Sequence, residues 1–161
     1  MKMVSRIEHW PLDRFIPYAR NARTHSDEQV AQIAASIKEF GFVNPILVGP
    51  DRVIIAGHAR LMAARKLGLA EAPVIVIEGL SENQRRALAL ADNRLPLEAA
   101  WDETMLRLEI EALREAEYDL DILGFEDDEL RLLLAKQEAA GGADGRRCHA
   151  GTTCQSGERG W

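Results

Sequence analysis

The sequence predicts an α+β domain with short strands gathered before residue 80 and helices after it. Three observations predict this. The runs "PILV", "RVIIA" and "PVIVIE" are β-branched and bounded by turn residues. Helical apolar spacing, opened by capping residues and closed by glycines, lies between and after them. From Gln137 onward all periodicity stops. Strands that cluster, with helices following, point to one small sheet with packed helices and a helical extension.

In order along the chain, Ser5–Trp10 reads as a first short strand closed by Pro11. Ile16–His25 reads as a loop carrying Pro17 and Asn21, with Arg20, Arg23 and His25 as basic side chains. Ser26 opens a helix, and Gln29 three residues later completes a capping box. Val30, Ile33, Ala34, Ile37 and Phe40 form its apolar stripe, and Gly41 ends it. Pro45–Val48 and Arg52–Ala56 read as a hairpin around Gly49-Pro50-Asp51. A helix then runs from Gly57 to Leu67, with Leu61, Ala64 and Leu67 inward and Gly68 as its stop. Pro73–Glu78 is a buried strand, and Ser81 with Gln84 is a second capping box opening a helix to about Ala91. Asp92-Asn93-Arg94 and Pro96 break that helix. Glu103–Glu115 is amphipathic, with Leu106, Leu108, Ile110 and Leu113, and "YDLDILGF" leads to a last helix, Glu126–Lys136. The expected divisions are residues 1–100 as the αβ domain, 101–136 as a helical extension and 137–161 as a disordered tail.

The chain has 161 residues, 47% of them hydrophobic, enough for one globular core. No apolar run reaches the roughly 18 residues of a membrane span, and the N-terminus lacks a signal-peptide core. Both cysteines, Cys148 and Cys154, lie in the Gly-rich tail, so no disulfide framework is expected. With His149 they offer three zinc donors where a closed site needs four. These features imply a cytoplasmic protein with no membrane partner. The net charge of −6 is uneven. Met1–Gly68 holds 10 basic and 6 acidic residues (+4), whereas Leu69–Lys136 holds 7 and 17 (−10). A basic front suits phosphates, and an acidic rear opposes uniform coating of DNA.

Three polar segments are candidates for one site: the loop Arg20–His25 with Arg23, the helix start Gly57-His58-Ala59-Arg60, and Ala91-Asp92-Asn93-Arg94. Arginine pairs with phosphate oxygens. A helix N-terminus offers free N–H groups and a favourable dipole to an anion. Asp92 and Asn93 are hard oxygen ligands suited to Mg²⁺. Each piece also has a structural reading: a loop pin, a helix cap, a tight glycine packing, a helix-ending turn.

"RNARTHSDEQVAQIAASIKEFGFVNPILV", "IIAGHARLMAARKLG" and "LADNRLPLEAAWDE" resemble, in order, three boxes of the ParB N-terminal domain, which has the ParB/sulfiredoxin-like fold. The resemblance covers about Ile7 to Asp102, and its second box is the most specific. It implies a pocket for a nucleoside triphosphate (CTP or ATP) with Mg²⁺. Gly57, His58, Ala59 and Arg60 would line the phosphates, with Arg23, Asn93 and Arg94 contacting the nucleotide and Asp92-Asn93 beside the metal. His58-Ala59 stands where the family has Glu-Arg, and Asp92 where it has Glu. Sulfiredoxins carry a catalytic cysteine in this box; its absence here excludes sulfinic-acid reduction. "DLDILGFEDDEL" adds a likeness to ParB-like domains at the front of phage and mobile-element DNA-modification methyltransferases. No S-adenosylmethionine or "DPPY"-type motif is present, and the tail reads as a frame-shifted or truncated linker to such a domain. Trp101–Lys136 reads as too short and too acidic for the helix-turn-helix that follows in partition proteins.

The leading expectation is therefore a nucleotide-binding regulatory or DNA-targeting module, with DNA, a second copy or a methyltransferase as candidate partners. A second reading is enzymatic: an NTP hydrolase, a small-molecule phosphotransferase or a nuclease. There Asp92 or Glu98 would be the general base and His58 an acid–base group, the carboxylate within about 3 Å of the acceptor hydroxyl. A third is a protein-binding structural remnant.

Overall fold

The computed structural model describes residues 6–21 and 24–140, with side chains as far as residue 135. Its elements are strand β1 (Glu8–Pro11), helix α1 (Asp27–Phe40), strands β2 (Ile46–Val48) and β3 (Ile54–Ala56), helix α2 (His58–Lys66) and strand β4 (Glu71–Val76). Helices α3 (Glu82–Arg94), α4 (Glu103–Glu115) and α5 (Asp127–Ala140) follow. Short 3₁₀ turns lie at Leu12–Arg14, Leu95–Glu98 and Asp121–Leu123. Among the described residues the strands form one mixed sheet in the order β1-β4-β2-β3. β1 runs antiparallel to β4, β4 parallel to β2, and β2 antiparallel to β3. The expected α+β architecture is observed.

The hairpin forms where it was expected. Gly49 N–H donates to Val53 O, Arg52 N–H returns to Gly49 O, and Asp51 Oδ1 takes the Val53 N–H. β1 lies at the sheet edge and includes Pro11, which was expected to close it, because an edge strand tolerates proline as a paired residue, here opposite Glu71. β4 correspondingly starts at Glu71 rather than Pro73, since Glu71 and Ala72 pair with β1.

Two apolar clusters hold this frame. Trp10, Phe15, Ile46, Val48, Ile54, Leu61, Ala72 and Val74 pack between the sheet and α2. Val30, Ala34 and Ala63 pack α1 against α2. The alanines of α2 thereby acquire a reason: Ala63 and Ala64 are fully buried, and a small side chain there lets α1 approach closely. Leu61 and Ala64 point inward as expected, while Leu67 is half-buried.

Both Ser-Gln pairs were expected to be capping boxes. At α3, Ser81 Oγ accepts Gln84 N–H while Gln84 Oε1 accepts Ser81 N–H. At α1 only half of the box forms. Ser26 Oγ accepts Gln29 N–H at 3.1 Å, but the Gln29 side chain meets His25 Nδ1 at 2.9 Å.

α3 does not break at Asp92. It continues through Arg94 and tightens into the 3₁₀ turn Leu95–Glu98, where Pro96 sits in the first turn. Proline in a first turn needs no N–H partner, so the chain stays helical for a turn beyond the expected break. Asp102 caps α4, taking the Thr104 and Met105 N–H groups. Ile110 is buried, and the Tyr118 hydroxyl donates to Glu39 Oε1 at 2.9 Å.

The chain up to Glu126 forms one compact unit, and a second begins at Asp127 with α5. α5 extends to Ala140, past the expected end at Lys136. The rest of the expected disordered tail, with Cys148, His149 and Cys154, lies outside the described residues. No helix among the described residues is long and apolar enough to cross a membrane.

Candidate functional site

The loop after β1, the start of α2 and the last turns of α3 meet at one edge of the sheet. The loop reaches this edge because Ile16 bridges the hairpin: its N–H donates to Arg52 O and its carbonyl accepts Ile54 N–H. α2 reaches it because β3 runs through a single glycine into the helix. Two clefts result. The larger, about 520 Å³, lies between the loop residues Tyr18, Arg20 and Asn21, with Ile55 and His58, and the α3 side with Arg86, Ala89, Leu90, Asn93, Arg94 and Leu97. The smaller, about 360 Å³, includes His25, Gly57, Arg60 and Asp92. Asn21, His58 and Asn93 line both, so the two clefts share a wall.

Gly57 caps α2 in the left-handed region at φ +105°. A Cβ there would stand 3.3 Å from Ile46 Cγ1 and 3.4 Å from Ile46 Cα. The glycine is thus required by its own turn and by β2 behind it. Ala59 is buried. His58 is half-buried, and its Nε2 accepts the Tyr18 N–H at 3.1 Å. Burial pushes this imidazole below its ordinary value of 6.5, and the charge of His25 adds to the shift. With Nε2 engaged as an acceptor, the ring is neutral and poorly placed to act as a base.

Arg60 has a structural duty. Its Nη1 donates to Asn44 O at 3.1 Å and to Pro45 O, tying α2 to the chain that enters β2. Burial presses its pKa below the ordinary arginine range, while the negative charge of Asp92 opposes this. Asp92 itself is exposed. Asn93 Nδ2 donates to Ala89 O at 2.7 Å within α3. Arg94 lines the larger cleft and pairs with Glu98 at 3.3 Å, both exposed. Glu98 lines neither cleft. Arg23 lies outside the described residues.

The structure therefore brings together Gly57, His58, Ala59, Arg60, Asp92, Asn93 and Arg94, and leaves Glu98 aside. No group of three His, Cys, Asp or Glu side chains that could cage a metal exists among the described residues. The donor set at Asp92-Asn93 suits only a hard cation that brings most of its ligands with it, as Mg²⁺ on phosphates does. The sequence did not single out Tyr18 or Arg86 as walls of the cleft, whereas Asn21 lies in the expected Arg20–His25 loop. Arg86 carried a usable signal, because Arg86, Ala89, Leu90, Asn93 and Leu97 recur at helical spacing on one face.

A mixed sheet of this order with packed helices and a cleft at the α2 start is the ParB/sulfiredoxin-like fold. The sequence matches the ParB N-terminal domain over residues 2–94, and the chain belongs to that family. More particularly, residues 104–146 match the ParB-methyltransferase HTH domain. This match corrects the expectation that no helix-turn-helix follows: net acidity governs which charges a surface attracts, not whether short helices adopt that motif.

The ParB-like nuclease domain-containing protein YnaK of Escherichia coli K12 is 52% identical over 81 residues, covering 50% of this chain and 93% of YnaK. The nucleoid occlusion protein of Geobacillus kaustophilus is 36% identical over 92 residues, covering 54% of this chain but 32% of that protein. A probable plasmid-partitioning protein ParB of Thermus thermophilus is 42% identical over 69 residues, of which this chain covers 23% of the length. In fold, the C-terminally truncated chromosome-partitioning ParB of Caulobacter crescentus, solved with CTP-γ-S, aligns with a TM-score of 0.62 over 85% of this chain and 89% of that one, at 21% identity.

Proposed function

We propose that the paired clefts bind a nucleoside triphosphate, CTP or ATP, as its Mg²⁺ complex, in a regulatory or DNA-targeting module. The observation that carries this is the shared wall of Asn21, His58 and Asn93 between two chemically unlike clefts. One offers Ile55, Leu90 and Leu97 to a flat, weakly polar base. The other offers the α2 N-terminus and Arg60 to phosphates, with Asp92 beside them for the cation. Family membership and the CTP-γ-S carried by the Caulobacter relative support the same reading. The helix-turn-helix match supports DNA targeting, with a second copy or a methyltransferase as the assembly in which it would act.

The nuclease and phosphotransferase readings have less support, although YnaK's name carries the word nuclease. His58 Nε2 is engaged, Glu98 is paired with Arg94, and Asp92 is the one carboxylate on the cleft walls among the described residues.

The test is titration calorimetry of CTP and ATP with Mg²⁺ against wild type, Asp92→Ala and Arg94→Ala. Arg60→Ala is a poor probe, since it also cuts the bonds to Asn44 and Pro45. Both chosen side chains are exposed, so the fold should persist. Binding that weakens about tenfold or more in each variant supports the reading, on the scale of charge-assisted contacts. A wild type that binds neither nucleotide at millimolar concentration ends it.

A further inference from the structure

We propose that His58 is a positioning residue: its neutral imidazole pins the Tyr18–Asn21 loop across the junction of the two clefts, and protonating the ring releases that loop. This rests on the nucleotide reading of the clefts, but its first test does not.

The loop leaves the hairpin at Ile16 and re-enters regular structure at the Ser26 cap. Between these points Tyr18 N–H meets His58 Nε2, a bond spanning 40 positions of sequence. What it holds is not incidental. Tyr18, Arg20 and Asn21 all line the larger cleft, Asn21 also lines the smaller one, and Tyr18 borders a third hollow beside the Asp51–Arg85 pair.

A neutral imidazole has one acceptor nitrogen and one N–H. Here the acceptor is Nε2, so Nδ1 carries the proton. An imidazolium is a donor at both nitrogens, and its Nε2–H would confront the Tyr18 N–H. The bond would then become a repulsion. Burial disfavours the imidazolium, and the charge of His25 adds to this. His25 and Arg60 line the smaller cleft with His58, and Arg20, Arg86 and Arg94 line the larger one with it, while Asp92 is the one carboxylate among the described residues lining either.

The sign of the pH effect separates this from plain electrostatics. If the histidines served only as positive charge, acid would strengthen phosphate binding. If His58 is a pin, acid weakens binding by loosening the wall. Because the folded ring is harder to protonate than the unfolded one, stability is full above the ordinary value of 6.5 and declines as pH falls below it.

The experiment compares the full chain with His58→Gln and His58→Ala. In His58→Gln the introduced amide oxygen reaches to where Nε2 stands and accepts without titrating. Without any nucleotide, imidazole ¹⁵N shifts and the protection factor of the Tyr18 amide are followed from about pH 8 to about pH 5. We expect an unprotonated Nε2 and a protected Tyr18 amide at the upper end, with protection lost toward the lower. His58→Gln should stay protected throughout, and His58→Ala should be unprotected throughout. With CTP and Mg²⁺, wild-type affinity should fall about threefold to tenfold over the same range, the worth of one hydrogen bond, and stay flat in His58→Gln.

A protonated Nε2 at the upper end overturns the proposal, as does Tyr18 protection that ignores the state of residue 58. Should His58→Ala fail to fold, the wild-type titration beside His58→Gln still decides. Normal Tyr18 behaviour with no CTP binding would support the pin while sinking the nucleotide reading.

Discussion

Helices α2 and α3 face each other across the same clefts, yet they are held in opposite ways. In α2, Ala59, Leu61, Ala63 and Ala64 are buried, and its cap residue Gly57 is wedged against Ile46. α3 buries no residue over its whole length, and Leu90 is 61% exposed. It is fixed to the hairpin by the Asp51–Arg85 ion pair at 2.7 Å and ordered at its start by the Ser81–Gln84 box. The residues of the GHAR motif thus carry packing duties along with any chemistry. Those of α3, with little packing to satisfy, are freer to answer to whatever occupies the clefts.

The sharpest way to break this contrast is to truncate one leucine from each helix. Leu61→Ala should cost about 2–5 kcal/mol, because it opens a cavity under the sheet. Leu90→Ala should stay within about 0.5 kcal/mol, as for an exposed side chain. Urea unfolding of both variants measures this. Equal costs would mean that α3 is anchored as α2 is, and the comparison would fail.

Next in size is Gly57→Ala, which combines a positive φ with a Cβ placed 3.3 Å from Ile46 Cγ1. A loss of about 1–3 kcal/mol is expected. Unchanged stability with lost nucleotide binding would instead assign the glycine to ligand approach alone.

The same contrast explains what could be read in the sequence. Elements that bury a face announced themselves: the hairpin, the stripe Val30-Ile33-Ala34-Ile37 of α1 and the Leu61-Ala64 face of α2 all lie where periodicity placed them. α3 turns only a half-buried face to the sheet, with Arg85, Leu88 and Ala89 partly covered and none buried. Its polar end, Asp92-Asn93-Arg94, therefore read as a break although the backbone stays helical to Arg94. The half-formed box at Ser26 shows a different limit. The local pattern was present, but His25 captured the Gln29 side chain. Of the site, the GHAR and Asp92–Arg94 segments were legible because charge and amide groups stood at a helix start and end. Tyr18, just ahead of the expected Arg20–His25 loop, was not, since only the Ile16 bridge and the His58 bond bring it to the cleft.

The smallest effect tests what holds α3 in place. Asp51 receives opposing influences: burial disfavours its charge, but hydrogen bonds from Arg85 and from Val53 N–H outweigh burial and hold its carboxyl below the ordinary 3.8. Its folded-state pKa being lowered, the stabilisation is fully present above about pH 3.8 and is lost as pH falls through the lower folded value. Half of the Asp51 side chain remains exposed, so solvent weakens the pair, and Asp51→Asn should cost about 0.3–1 kcal/mol. The loss should shrink in high salt, which screens exposed pairs. The larger consequence is local. With the tie cut and no buried residue to replace it, amides along α3 should exchange faster while those of α2 keep their wild-type rates. If both helices kept their rates in Asp51→Asn, the capping box and the 3₁₀ turn after Arg94 would be sufficient to hold α3, and the ion pair would be a surface contact of no structural weight.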